Sequence, residues 1–385
     1  MQLWVYAVRR LLVLFPLLLG VMTITFILVS GVPTTQRCLS YIGPPPRHGG
    51  APAIGEWLAH CEKDLGLNQP IVTQWAIYMG NTLSFHWGYV GNYSVAATTV
   101  PVIAGEPVTT ALGWLLPYTL ELAALALALI LLVALPLGQA AARYRNRPLD
   151  QAARVMSFSG FAVPAYLLGA LTLIGVVFLL DKYHAGGCSG AFLQVYGSWP
   201  APLCMAGSSP ANINYPGWLI YGTVSTPTGF PTVDAALHGQ WGLALDTILR
   251  MLLPALIIAY GTVAVIIRFV RNSMLEVMNL DFVQVARANG VSESVVIKRH
   301  VGRNSLNVTV TVLGLTFAGF VGGFPIIEEV FGLQGVGRAL ALSVQQPYDF
   351  GLIFGSTILF TFLVVAANLV ADLLYAVLDP RVRYR

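Results

Sequence analysis

Leu122–Ala142 reads LAALALALILLVALPLGQAAA, a run with no charged side chain. At about 1.5 Å of rise per residue, such a run crosses the roughly 30 Å hydrocarbon core of a bilayer as an α-helix. A helix satisfies its own backbone, which is what lipid demands. Pro117 and Glu121 stand before the run, and Arg143 closes it. Five further charge-free runs read the same way: Leu11–Val32, Val155–Leu180, Met251–Ile267, Val308–Ile327 and Phe350–Ala371. The sequence predicts an all-α polytopic membrane protein with six transmembrane helices.

Composition agrees. Of 385 residues, 56% are hydrophobic and 10% charged, where soluble domains run near a quarter charged. The mean hydropathy of +0.71 excludes a soluble enzyme, a nucleic-acid binder and a disordered chain. The net charge of +4 does not point to nucleic acid, because the basic residues sit in short clusters between apolar runs. Lys63, Lys182 and Lys298 are the lysines, and none follows a glycine, so there is no phosphate-binding P-loop. No His-Glu-x-x-His or Cys-x-x-Cys spacing supports a metal site. No catalytic residue is identified.

Gln69–Gly105 and Tyr183–Val233 are also poor in charge, but Gly, Pro, Asn and Ser interrupt them. They read as external or interfacial caps. Arginine and lysine counts set the orientation. Fifteen lie at the N-terminus, in the loops after spans two and four, and in the tail; six lie in the longer opposite loops. The richer side is predicted to be cytoplasmic, with both termini inside. The layout is then an anchor helix at 1–32, an external region at 33–110, a core at 111–376 and a tail at 377–385. The core carries an external insertion at about 181–249 and a cytoplasmic loop at about 272–303. Arg9-Arg10 and the apolar run after them resemble a signal peptide, but no A-x-A site follows, so the helix reads as an uncleaved anchor. Cys38 and Cys61 fall in the first external loop, Cys188 and Cys204 in the second. Pairing within each loop is the simplest of three connectivities; four free thiols are the alternative.

The loop between spans four and five carries the most information. Asp281 is a candidate N-cap, Ala286 and Ala288 keep the helix thin, Gly290 suits a left-handed C-cap, and Ser292 can cap a second helix. A short small-faced helix suits docking into a partner groove; an ordinary basic connecting loop is the other reading. The order Asp281-Phe-Val-x-x-Ala286-Arg287-Ala288-x-Gly290 resembles the coupling loop of ABC-importer permeases, in the dipeptide/oligopeptide branch. Tyr6 with Arg9-Arg10, Asp64-Leu-Gly-Leu-Asn-Gln-Pro70, Leu116-Pro117, Arg303-Asn304, Gly332-Leu-Gln-Gly-Val-Gly337-Arg338 and Leu378-Asp379-Pro380-Arg381 resemble other motifs of that branch. Gln284 and Val285 depart from its wider loop pattern, and both external loops are longer than the branch leads one to expect.

The resemblance implies a type I ABC-importer permease fold and a transport subunit rather than an enzyme. It implies a second homologous permease, two P-loop ATPase subunits that hold ATP and Mg, and an external solute-binding protein. Asp281, Ala286, Arg287, Ala288, Gly290 and His300 would form the ATPase-coupling loop, with His300 equally readable as structural. Glu328 and Glu329 are candidates for contact with the binding protein. Glu121 and Asp372 read as subunit or path contacts, or as interfacial carboxylates. Gly314, Gly319, Gly322 and Gly323 read as a packing face. Di- and oligopeptides are the expected solute, with oligosaccharides or nickel as alternatives. A self-contained secondary transporter is the competing class.

Overall fold

The computed structural model describes residues 3–43, 50–91, 102, 104–182, 228–302, 304–305, 323–345 and 348–378. Among them the regular structure is helical, apart from one isolated bridge between Tyr89 and Pro107. The helices are α1 (Leu3–Ser30), α2 (Thr34–Ile42), α3 (Gly50–Asp64), α4 (Ile71–Leu83), α5 (Val108–Arg143), α6 (Pro148–Ala162) and α7 (Ala165–Lys182). They continue as α8 (Pro231–Leu237), α9 (Trp241–Met278) and α10 (Asp281–Ala288). A turn at Glu293–Val295 runs into a π-helix at Val296–Val301, followed by α11 (Phe324–Phe331), α12 (Val336–Ser343) and α13 (Phe350–Leu378).

Among the described residues, three helices are individually long and apolar enough to cross a membrane: α5, α9 over Thr247–Met278, and α13 over Phe350–Val370. The shorter apolar stretch Phe15–Ser30 lies on α1. The chain is therefore an all-α polytopic membrane protein. Most of the expected fifth span, together with Gly314, Gly319 and Gly322, lies outside the described residues. Gly323 caps the start of α11, which holds Phe324–Ile327 and runs on to Phe331.

The third expected span is not one straight helix. Pro148–Gly160 and Ala165–Gly175 meet at 102°. Pro164 has no N–H to donate and pushes the preceding residue out of the helical region. Val163 is accordingly extended, at φ −108° and ψ 116°. The fourth span is longer than its apolar run. Arg268 and Arg271, expected in a loop, continue α9 as helix.

Helix α5 shows why the bundle holds. Its buried residues Leu112, Leu115, Thr119, Leu122, Ala126, Ile130, Ala134, Gly138 and Ala141 recur every three or four positions. They form one stripe, while Leu132 on the other side is 72% exposed. The far half of the stripe is small, which lets helices approach in lipid. Helix α9 uses this: a Cβ on Gly138 would lie 2.7 Å from Cβ of Val270. Of the three long helices α9 is the most internal, with 56% of its apolar window buried against 28% for α5 and 33% for α13. It packs on α5, α6, α7 and α8, while α1 packs on α13 and α4.

Gly160 of α6 faces Gly261 and Ala264 of α9, and a Cβ there would overlap the Ala264 methyl. Gly160→Leu is expected to cost at least about 1–3 kcal/mol through overpacking. Gly113→Leu, with nothing within 4 Å of its Cβ position, should cost far less. Melting of the detergent-solubilised chain measures both, and equal melting temperatures would remove this contact from the account.

The region after α1 is folded rather than a plain loop. A Cys38–Cys61 disulfide joins α2 to α3, and both cysteines are fully buried. Cys188 and Cys204 lie outside the described residues. Helix α4 has 13 residues, too short to span at about 1.5 Å each. Asp349 fastens this region to the start of α13 by accepting from the backbone N–H of Gly91 (2.9 Å) and of Leu352 (3.1 Å).

Candidate coupling surface and its supports

Helix α10 leaves α9 after Met278. Asp281 is its first residue rather than its N-cap; Leu280 holds that position, in extended backbone with no side-chain cap. The end matches the sequence expectation in detail. Gly290 has φ +75°, its N–H donates to the Arg287 carbonyl (3.0 Å), and the Val291 N–H donates to the Ala286 carbonyl (3.2 Å). This is a Schellman motif, in which a left-handed glycine closes the last carbonyls. Ser292 does precede the next turn, but its side chain makes no cap bond; its carbonyl accepts from Val295 and Val296.

One side chain roots α10. Val283 is fully buried, in the same apolar cluster as Met274, Val296, Ile297 and Val301. The rest of the helix faces out. Phe282 is 42% and Val285 58% exposed; Asp281, Arg287, Ala288 and Gly290 are exposed, and Ala286 and His300 half-buried. The segment thus presents a small apolar surface on a rooted, sharply terminated helix. The sequence reading named the small residues and missed Phe282 and Val285, which supply the apolar area.

Arg287 bonds within the chain. Its Nε and Nη2 donate to the two carboxylate oxygens of Glu293, at 3.0 and 2.8 Å. The pair bridges the Gly290 break. Arg287 beside it holds the Glu293 carboxyl below its ordinary 4.5, chiefly through that hydrogen bond, and the carboxylate raises Arg287 in turn. A depressed carboxyl contributes its stability above the unfolded value and loses it as pH falls through the folded one. The pair is therefore intact at neutral pH and opens below 4.5. Both side chains are well exposed, so Glu293→Gln should change overall stability by less than about 1 kcal/mol. A large melting shift would contradict this.

A charge cluster ties α6 to α9. Asp150 of α6 has a fully buried side chain. Its Oδ1 accepts from Arg271 Nε; its Oδ2 accepts from Arg271 Nη2 (3.2 Å), Arg154 Nη2 (2.7 Å) and the Asn146 N–H (2.9 Å). Asn146 sits at φ +63°, a left-handed position that asparagine tolerates. The start of α6 and the turn that joins it to α5 are thereby fixed to α9, about two turns before that helix ends. Sequence reasoning treated these arginines as topology charges and did not single out Asp150.

A second lock lies at the opposite end of the bundle. Glu328 was expected to face a partner, yet it is 1% exposed. The turn 332–338 wraps around it. Glu328 Oε1 accepts from Thr119 Oγ1 (2.8 Å) and Oε2 from the Arg338 N–H (3.0 Å), while Val336 N–H donates to Thr119 Oγ1 (3.0 Å). The spacing of the Gly332–Arg338 motif follows. Gly332 takes the left-handed turn at φ +64°, and any Cβ on Gly335 would collide with the Glu328 carboxylate. Glu329 is the outer of the pair, 36% exposed and 3.5 Å from Arg338.

Glu121 accepts from Thr232 N–H (3.0 Å) and Oγ1 (3.1 Å) and so holds the start of α8 on α5. Asp372 lies on α13. Among the described residues no group of three or more His, Cys, Asp or Glu could hold a metal.

The sequence profile of the family described as "Binding-protein-dependent transport system inner membrane component" matches residues 134–384. The chain belongs to that family. The match begins within α5 and takes in the bent α6–α7 pair, α9, α10, both locks except Thr119, and α13. The chain is 31% identical over 364 residues to the probable D,D-dipeptide transport system permease protein DdpB of Escherichia coli (strain K12), covering 94% of this chain and 93% of that one. It is 29% identical to the oligopeptide transport system permease protein AppB of Bacillus subtilis (strain 168), over 98% and 99% of the two chains. It is 27% identical to the dipeptide transport system permease protein DppB of Lactococcus lactis subsp. cremoris (strain MG1363), again over 98% and 99%. Membership in this inner-membrane family makes the chain a transport permease subunit rather than a catalytic enzyme.

Proposed function

We propose that this permease forms one half of the transmembrane path of an ATP-driven importer for di- and oligopeptides. A second homologous permease supplies the other half, two P-loop ATPase chains dock beneath, and an external binding protein delivers the solute. Relatives named for dipeptide and oligopeptide transport support the solute class. The basic ends of the spans support a cytoplasmic position for α10 and for both termini. The full set of six spans, including Val308–Ile327, completes the type I permease fold.

The observation that carries the reading is the form of α10. A helix rooted by Val283 and closed by Gly290 presents Phe282 and Val285 outward. An exposed apolar face on a rooted helix can be gripped, and force applied to it passes through the π-helix Val296–Val301, which touches both α10 and α9. Coupling then requires the ATPase to hold α10 differently in its ATP-bound and ATP-free states. Asp281, Ala286, Arg287, Ala288, Gly290 and His300 belong to this surface. Glu329 is the carboxylate that remains available to the binding protein.

Affinity purification of the full chain from native membranes, followed by mass spectrometry and an ATPase assay, tests the proposal. The expected result is recovery of a second permease and a P-loop ATPase whose turnover rises with peptide-loaded binding protein. Recovery of this chain alone, without ATPase activity, would leave a self-contained transporter as the better reading.

A further inference from the structure

A cleft of about 430 Å³ opens beside α10, between the last turns of α5 and α9. Arg143, Arg145, Arg147 and Arg287 line it, with Glu293 as its one carboxylate. Glu293 is already paired with Arg287. Arg143 also feels the Glu293 charge, so a single carboxylate is shared among the four guanidinium groups of the cleft. They are also arranged rather than scattered: the Arg143 and Arg147 guanidinium groups lie 5.4 and 5.5 Å from the centre of the Tyr144 ring. A ring that stacks two cations fixes both at low entropic cost. The cleft thus carries four guanidinium groups against one carboxylate, beside the apolar side chains Ala142, Leu275 and Ile297.

Its depth is set by the helices that make it. Arg143 is the last residue of α5 and directly follows its charge-free run Leu122–Ala142, while α9 continues past its own apolar stretch and walls the cleft with Leu275 and Met278. Groups at the ends of spans lie at the level of the lipid phosphates. Guanidinium groups bind phosphate through paired N–H donors and charge.

We infer that this cleft binds the phosphate of an anionic phospholipid headgroup, clasped by Arg143, Arg145 and Arg147 beside the Arg287–Glu293 pair. The bound phosphate competes with Glu293 for Arg287. Lipid composition thereby acts on the bridge that fixes α10 to the turn after Gly290. The site stands on the cleft and its charges, and it holds whether or not α10 meets an ATPase.

The test is lipid retention by the full chain. The protein is reconstituted in phosphatidylcholine vesicles containing phosphatidylglycerol, re-purified in mild detergent, and its bound lipid quantified. The wild type is expected to retain phosphatidylglycerol over phosphatidylcholine, and excess inorganic phosphate is expected to leave that preference intact. The variant R143Q/R145Q/R147Q should bind phosphatidylglycerol roughly a hundredfold more weakly, given the strength of single cations near a bilayer surface. Glu293→Gln, which frees Arg287, should raise retention, an outcome that misfolding does not mimic. K298Q/R299Q removes two exposed charges from the same end but outside the cleft and should retain the lipid. Equal retention of both lipids by the wild type overturns the inference. So does displacement by inorganic phosphate, which would make the ligand a free anion. A loss in K298Q/R299Q as large as in the triple variant overturns it too, since general surface charge would then be the cause.

Discussion

Asp150→Ala is expected to destabilise the chain by about 3–5 kcal/mol, the usual consequence of removing one partner from a buried ion pair. The geometry explains the size. The Asp150 side chain is fully buried, and Arg271, which approaches it through two nitrogens, is only 14% exposed. Without the carboxylate, Arg271 Nε and the Asn146 N–H lose their acceptor, and the guanidinium groups keep only the amide oxygens of Asn146 and Asn272. Asp150→Asn keeps the shape and one acceptor, so it should fall between alanine and wild type. Arg154→Ala should cost much less, because that side chain is 47% exposed and water can replace it. The ordering of melting temperatures in detergent checks this. If Asp150→Ala and Arg154→Ala melt alike, the lock does not hold α6 on α9. In the assembled transporter the same substitution should lower transport beyond the loss of folded protein, since Arg271 lies on α9, the helix that leads into α10.

The second large effect is expected at the other end. Glu328→Ala strands the Arg338 N–H and the Thr119 hydroxyl in a buried site, and each unsatisfied group costs about 1–3 kcal/mol. Gly337→Val attacks the same turn sterically. Its Cβ would lie 2.6 Å from the backbone of Pro325, and backbone cannot swing aside as a side-chain tip can. Both variants should lose most of their folded yield, whereas Glu329→Ala, whose side chain is 36% exposed, should not. Protease resistance of the solubilised chain reads the difference. Equal resistance of all three would mean that Glu328 does not organise the 332–338 turn.

The apolar helices were legible because their signal is additive over many residues. No single substitution hides a run such as Leu122–Ala142. The bend at Pro164 was not, although the proline was in view. Pro117, Pro136 and Pro254 lie inside unbroken helices, so proline identity alone does not decide. What decides is whether neighbouring helices hold the chain straight. The Gly290 turn was legible because it depends on one residue's backbone freedom and on the carbonyls just before it. Asp281 was misplaced by one position, a local ambiguity that the next carbonyl resolves. The two locks were hidden for a different reason: Asp150 meets Arg271 across 121 positions and Thr119 meets Glu328 across 209. Such pairs have no sequence spacing, and a carboxylate at the end of a span looks the same whether it faces water or is enclosed. Glu328 was named with Glu329 as a candidate contact for the binding protein on that ground, and its enclosure depends on a turn that begins four residues later.

The central claim is that α10 is the point where another chain pushes on this permease. The most direct measurement places a photoreactive amino acid at Val285, the 58% exposed position on the face of α10, and at Phe158, which is 75% exposed on α6. Irradiation of native membranes should link Val285 to a P-loop ATPase chain, with a yield that changes when ATP is added, and should give no such product from Phe158. If Val285 links only to lipid, with or without ATP, while the chain still co-purifies with a second permease, α10 is not the coupling surface.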